Sequence, residues 1–278
     1  MNLDNFRHSF NLNGQQMSYL DIGQGPVLLL GHSYLWDSAM WAPQIAHLSQ
    51  HYRCIVPDLW AHGHSDVLPN DCRSLKHLAE HYLALMDSLE IDEFSILGLS
   101  VGGMWGAELT LMAPRRVKSL VMMGCFLGFE PEVSRAKYYA MLDAMIAAGR
   151  LPEPLIEQIA PLFFSDNVEQ TQPELIASFK ASLASIAPER LESISRLGRI
   201  IFGRRDIMED IEQLTQPTLI MTGTQDKPRP VLEAYLMHDA TIDGSEFLHI
   251  PEAGHVSTLE QSEWINQHLS DFFGKHLG

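Results

Sequence analysis

Short runs that are almost wholly apolar, "VLLLG" (27–31), "RCIVP" (53–57), "FSILGL" (94–99) and "VKSLVMMG" (117–124), alternate with longer stretches of helical period such as "SLKHLAEHYLALMDSLE" (74–90). A strand with no polar face is covered on both sides, and intervening helices return the chain for the next parallel strand. The pattern predicts an α/β fold with a mostly parallel sheet between helices. Ahead of it, "RHSFNL" and "QQMSYLDIG" flank Asn13-Gly14, a pair suited to a tight hairpin turn. Strand patterning then stops between residues 127 and 212. "AKYYAMLDAMIAAG", "PEPLIEQIAPLFF", "PELIASFKASLASI" and "PERLESISRLGRIIFG" read as successive helices. Strands resume with "PTLIMTG" (217–223) and "EFLHIP" (246–251), and "STLEQSEWINQHLSDFF" predicts one closing helix. The expectation is a core of residues 1–126 and 213–278 with an all-helical cap, residues 127–212, lying over it as a lid.

Composition narrows the function classes. With 278 residues, 46% apolar and 19% charged, the chain can bury one substantial core. "MNLDNFRHSF" has neither the basic nor the apolar region of a secretory leader, and no stretch approaches the ~20 apolar residues of a membrane helix. Cys54, Cys72 and Cys125 are an odd count without CxxC spacing. Together these features predict a cytoplasmic protein with no membrane partner. A net charge of −16 opposes phosphate backbones, so nucleic acid is not an expected partner. His47/His51, His77/His81 and His62/His64 are close in sequence but lack HExxH or a Cys/Asp cluster; no metal or cofactor is expected.

Three Gly-X-Ser tripeptides compete for a nucleophile: Gly31-His32-Ser33, Gly63-His64-Ser65 and Gly98-Leu99-Ser100. A nucleophile on a strained strand-to-helix turn needs very small residues two positions before and after it. Ser100 has Gly98 and Gly102, whereas Ser33 is followed by Leu35 and Ser65 by Val67. Ser100 also lies between a buried strand and "VGGMWGAELTLMA", a helix whose N-terminus supports developing negative charge.

A serine hydroxyl needs a base and an acid to orient that base. "PTLIMTG" runs into "TQDKP", which puts Asp226 at a strand's carboxyl end, and "EFLHIP" runs into "EAGH", which does the same for His255. Glu252 is the rival acid, three residues from the histidine. Ser257 and Glu260 have capping-box spacing, predicting a helix that starts just after His255 and fixes its loop.

Through "GHSYLWDSAMW", "VPDLWAHGHSD", "LGLSVGG", "TGTQDKP" and "PEAGHVSTLEQ", nearly the whole chain resembles the α/β-hydrolase fold superfamily. More narrowly, it is similar to 3-oxoadipate enol-lactonase-like hydrolases and related carboxylesterases. The resemblance implies that His32 holds the family's His position and Ser33 its Gly position. It further implies that the backbone N–H groups of Tyr34 and Val101 form an oxyanion hole. Asp58, His62 and Ser65 then belong to a structural loop after a strand.

Candidate pocket residues are His32, Trp41, Met104, Met145, Phe163 and Phe164. Met141, Phe179, Ile201 and Phe202 of the cap are further choices, with Arg135, Lys137, Arg199 or Arg204 as possible anchors for a substrate carboxylate. The expected function is hydrolysis of a small carboxylic ester or lactone through Ser100, His255 and Asp226 and an acyl-enzyme. The alternatives are C–C bond hydrolysis of a diketone, cofactor-free perhydrolysis, or a non-catalytic receptor on the same fold.

Overall fold

The computed structural model describes residues 1–241 and 245–277. Eight strands, β1 (Arg7–Leu12), β2 (Gln15–Ile22), β3 (Val27–Gly31), β4 (Arg53–Pro57), β5 (Phe94–Leu99), β6 (Val117–Met123), β7 (Thr218–Gly223) and β8 (Glu246–Ile250), form one sheet. Their order is β1-β2-β4-β3-β5-β6-β7-β8. β1 and β2 make the expected antiparallel hairpin and β2 pairs antiparallel with β4; every other pairing is parallel. β5 and β7 are buried at every position, as their unbroken apolar runs require. Among the described residues, no helix is long and apolar enough to cross a membrane.

The helices are α1 (Ala42–Leu48), α2 (Leu75–Ser88), α3 (Val101–Met112), α4 (Glu132–Ala148), α5 (Glu153–Ile159), α6 (Val168–Thr171), α7 (Pro173–Ala184), α8 (Leu191–Phe202), α9 (Val231–Ala240), α10 (Ser257–Glu260) and α11 (Ser262–Leu277). α4 to α8 all lie between β6 and β7 in the chain, where helical patterning replaced strand patterning. Direct bonds hold this segment to the sheet loops: Tyr34 Oη donates to Ile194 O (2.7 Å), Val256 N to Phe163 O (2.9 Å) and Leu68 N to Ser193 Oγ (3.2 Å).

The loop after β4 is built around a buried carboxylate. Asp58 accepts from Ser38 N (2.8 Å), His64 N (3.0 Å) and Arg7 Nη1 (3.1 Å). Ser65 Oγ donates to Asp58 O (2.9 Å) and accepts from Ser18 N (2.9 Å), so this Gly-His-Ser ties the loop to β2. His62 is buried beside it, bonded through Nδ1 to Trp60 O (2.8 Å) and close to the rings of His32 and Tyr34.

The closing helix differs from the single element predicted. It breaks at Gln261 (φ −129, ψ 44) into α10 and α11. The capping box also fails to form, because Val256 is the N-cap and no side chain caps α10. Glu260 turns instead toward the neighbouring loops, where Oε2 accepts from Gly254 N (2.7 Å) and Oε1 from Ser165 N (2.9 Å) and the Ser165 hydroxyl. The loop carrying His255 is therefore fixed by this acid through tertiary bonds rather than by a helix cap.

Glu260→Ala should lower stability by roughly 1–3 kcal/mol, since it orphans two buried amides. An unchanged melting temperature would contradict this role. Burial pushes His62 from its ordinary 6.5 down to about 3. Between those values the unfolded chain binds a proton that the folded chain refuses, so stability falls as pH falls. His62→Asn should flatten the decline of unfolding free energy between about pH 6.5 and pH 5 by on the order of 1 kcal/mol per pH unit. Denaturant titrations of equal slope for the two proteins would contradict it.

Candidate active site

β5 delivers the chain to Ser100, and α3 begins at the next residue. Ser100 has φ +59 and ψ −119, a strained conformation for a residue with a side chain, and its amide is held by Met123 O at 2.8 Å. The turn closes only because its neighbours lack side chains. A Cβ on Gly98 would lie 2.2 Å from the Gly102 carbonyl carbon, and one on Gly102 would lie 2.1 Å from Gly31 O. Ser100 thus stands at the end of a buried strand with the amides of a helix N-terminus directly behind it.

His255 and Asp226 meet although they are 29 residues apart. The loop after β7 brings Asp226 and the loop after β8 brings His255. His255 Nδ1 lies 2.9 Å from Asp226 Oδ2 and 3.1 Å from Oδ1. An ionised carboxylate only accepts, so Nδ1 carries the proton and donates it. Nε2 of the neutral ring is then free to act as a base. Asp226 is itself fixed by Arg229 N, which donates to Oδ1 (2.9 Å). Glu252, the rival acid, is exposed at positive φ.

Ser33, Tyr34, Ser100 and His255 border one cavity. Among the described residues, no hydrogen bond joins the Ser100 hydroxyl to His255. Such bonds commonly tighten only when substrate is bound. The backbone amides of Tyr34 and Val101 also lack an acceptor among the described residues. They follow β3 and β5 respectively, which are paired with Gly31 opposite Gly98. The Tyr34 side chain is anchored away at Ile194 O, beneath α8, where a Cβ on Gly198 would lie 2.7 Å from the phenol oxygen.

The remaining wall is largely apolar: Met104 from α3, Met141, Leu142 and Met145 from α4, Leu155 from α5, Ile201 and Phe202 from α8, and Phe163. Phe163 also packs edge-on to the His255 ring, with centroids 5.5 Å apart. Of the predicted pocket residues, Met104, Met145 and Phe163 therefore reach the cavity. His32, Trp41 and Phe164 do not, and each is a correction with a physical cause. His32 Nε2 accepts from Leu59 N (2.8 Å), which leaves Nδ1 to donate to Ser33 O (2.8 Å). The ring is consumed in clamping two loops, and burial lowers its basicity. Trp41 is wholly enclosed in the core. Phe164 is also fully buried, packed against Trp36 and Phe179, while its neighbour Phe163 takes the cavity side.

The cap cations also miss the cavity. Arg135 pairs with Glu132, Arg199 with Asp143 and Arg204 with Glu130, and Lys137 is exposed. The cation that borders the cavity is Arg229, three residues past Asp226. No local sequence signal distinguishes it, because its partners come from elsewhere in the chain. Burial disfavours its charge, but Glu233 and Glu130 outweigh that effect and hold its acidity constant above the ordinary value. Gly124 also belongs to the site: a Cβ there would lie 2.8 Å from Asp226 Oδ2, and the signal for it is a glycine closing a strand run. The three thiols are free and buried, and burial pushes each up to about 12, too high for a nucleophile. Among the described residues, no cluster of His, Cys, Asp or Glu could hold a metal ion.

Known proteins resemble the chain over nearly its whole length. The chain is 26% identical over 270 residues to 3-oxoadipate enol-lactonase 1 of Acinetobacter baylyi, covering 95% of this chain and 97% of the relative. It is 26% identical over 250 residues to the carboxylesterase YbfK of Bacillus subtilis, covering 89% and 80% respectively. A solved esterase from Thermogutta terrifontis superposes with a TM-score of 0.88 at 23% identity, over 98% of this chain and 99% of that one. The family model for the alpha/beta hydrolase fold matches residues 26–262, and the chain belongs to that family.

Proposed function

We propose that this chain is a serine hydrolase that cleaves a carboxylic ester or lactone, with Ser100 as nucleophile, His255 as base and Asp226 as the acid that orients it. The observation that carries this reading is the common cavity: the strained Ser100 and the histidine of a buried Asp226–His255 pair border one apolar space. Similarity to an enol-lactonase and a carboxylesterase supports the bond type.

In the proposed reaction, His255 Nε2 takes the Ser100 proton as Oγ attacks the substrate carbonyl. Negative charge develops on the carbonyl oxygen, where the Tyr34 and Val101 amides receive it; each donor is worth about 3 kcal/mol in a transition state of this kind. Collapse expels the alcohol, which takes the proton from His255, and leaves an acyl group on Ser100. Water, deprotonated by the same His255, attacks the acyl carbonyl, and the proton returns to Ser100 as the acid leaves. For a lactone the alcohol and the acid are two ends of one product. In this reading residues 127–212 are the lid over a core of residues 1–126 and 213–278, since that segment supplies most of the cavity wall. The three unpaired cysteines support a reducing, cytoplasmic setting.

The test combines covalent labelling with turnover. Ser100→Ala should abolish labelling by a fluorophosphonate, while Ser33→Ala and Ser65→Ala remain labelled. In a screen of short and long acyl esters, γ-lactones, enol-lactones and a vinylogous diketone, esters or lactones should turn over and Ser100→Ala should fall by at least about 10³-fold. Labelling that persists in Ser100→Ala, or turnover confined to the diketone, would overturn the proposal.

A further inference from the structure

A group of buried charges lies against the cavity wall, outside the machinery just described. Arg229 is the Lys or Arg bordering the cavity among the described residues, and it would be the natural anchor for a carboxylate at the far end of a substrate. Its charge is already committed. Arg229 Nη2 lies 2.6 Å from Glu130 Oε2, and Nη1 lies 3.3 Å from Glu233 Oε2. The same Glu130 oxygen accepts from Arg204 Nη1 at 3.0 Å, and Arg204 also donates to Phe126 O and Ile201 O. The side chains of Arg204, Glu130 and Arg229 are only 2%, 4% and 5% exposed. Two cations face two carboxylates, so the group adds no net charge to the wall.

We infer that the cavity selects neutral, apolar acyl groups over acyl groups that end in a carboxylate, and that Glu130 sets this preference as a positioning residue acting through Arg229. The inference rests on the hydrolase reading above. A carboxylate entering among Met141, Leu142, Met145, Leu155 and Ile201 has two options. It can remain unpaired in apolar surroundings, or it can approach Arg229, whose charge Glu130 and Glu233 already balance and whose carboxylate partners repel a further anion. Both options are unfavourable, whereas a hydrocarbon chain meets only matching surface. The Tyr34 hydroxyl offers no alternative anchor, because it is spent on Ile194 O. Tyr138 contributes a neutral phenol, with its ring stacked on Phe202 at 4.3 Å.

The full chain is assayed by pH-stat near pH 7.5 with methyl octanoate and monomethyl octanedioate, whose methanol leaving group is small, so the acyl chain is what the cavity must accept. The expected kcat/KM favours octanoate by at least about 100-fold, carried mainly in KM. Glu130→Gln leaves two guanidinium groups with one carboxylate and should narrow that ratio by about 10-fold. Glu233→Gln, at the half-open edge of the group, should narrow it in the same direction and serves if the buried substitution prevents folding. Equal or inverted preference in the unmodified protein overturns the inference while leaving the hydrolase reading intact. A ratio unmoved in the folded variants overturns the role of Glu130. Absence of turnover with both these esters and every ester and lactone of the wider screen overturns the hydrolase reading, and this inference with it.

Discussion

The backbone-to-backbone contact among Gly31, Gly98 and Gly102 is the constraint on which the site depends. β3 and β5 pair with Gly31 opposite Gly98, and α3 leaves Ser100 so steeply that Gly102 sits against both. Any side chain at Gly98 or Gly102 would overlap main-chain atoms that have nowhere to go. That contact allows one serine to project from the end of a buried strand at φ +59. It also sets the distance between the chain leaving β3 and the start of α3, and hence between the Tyr34 and Val101 amides. Ser100 and the Tyr34 and Val101 amides are thus placed by a single packing event, and the strain at Ser100 is borne by β5, a strand buried at every position.

Around this rigid centre, buried carboxylates position the mobile kinds of structure, the loops. Asp58 gathers the loop after β4 and the start of the chain; Glu260 joins the His255 loop to the helical segment at Ser165; Glu130 joins the same segment, through Arg204, to the Asp226 loop, through Arg229. Each carboxylate has several donors, the condition under which a buried charge is tolerated. Asp226 follows the same rule, with an amide on one oxygen and an imidazole shared by both. The loops after β6, β7 and β8 are held to one another chiefly by charge and hydrogen bonds, while the cavity they enclose is left apolar.

Much of this was legible in the chain itself. Strands buried on both faces appear as unbroken apolar runs, and all eight predicted runs match strands to within a residue or two. Ser100, Asp226 and His255 stand out because each follows shortly after such a run. What escaped was decided by direction and by distant partners. Past a strand end, nothing local says that His32 turns to Leu59, or that Phe163 faces the cavity while Phe164 faces the core. Glu260 satisfies a local capping pattern, yet three tertiary donors claim it. Arg229 is one cation among 19 Lys and Arg until Glu130, 99 residues away, reaches it. α1 is short, and α9 exposes Leu232, Tyr235 and Leu236, which blurs the polar face that would announce it.

The central claim is that Ser100 attacks a carbonyl whose oxygen is received between the Tyr34 and Val101 amides. A crystal structure of the protein inactivated with an alkyl phosphonate tests it most directly, since the phosphonyl oxygen occupies the position of the oxyanion. The account predicts a covalent bond to Ser100 Oγ, that oxygen about 2.7–3.1 Å from both amides, and the alkyl chain between α4 and α5. An adduct on another residue, or on Ser100 with the oxygen directed away from both amides, would contradict it.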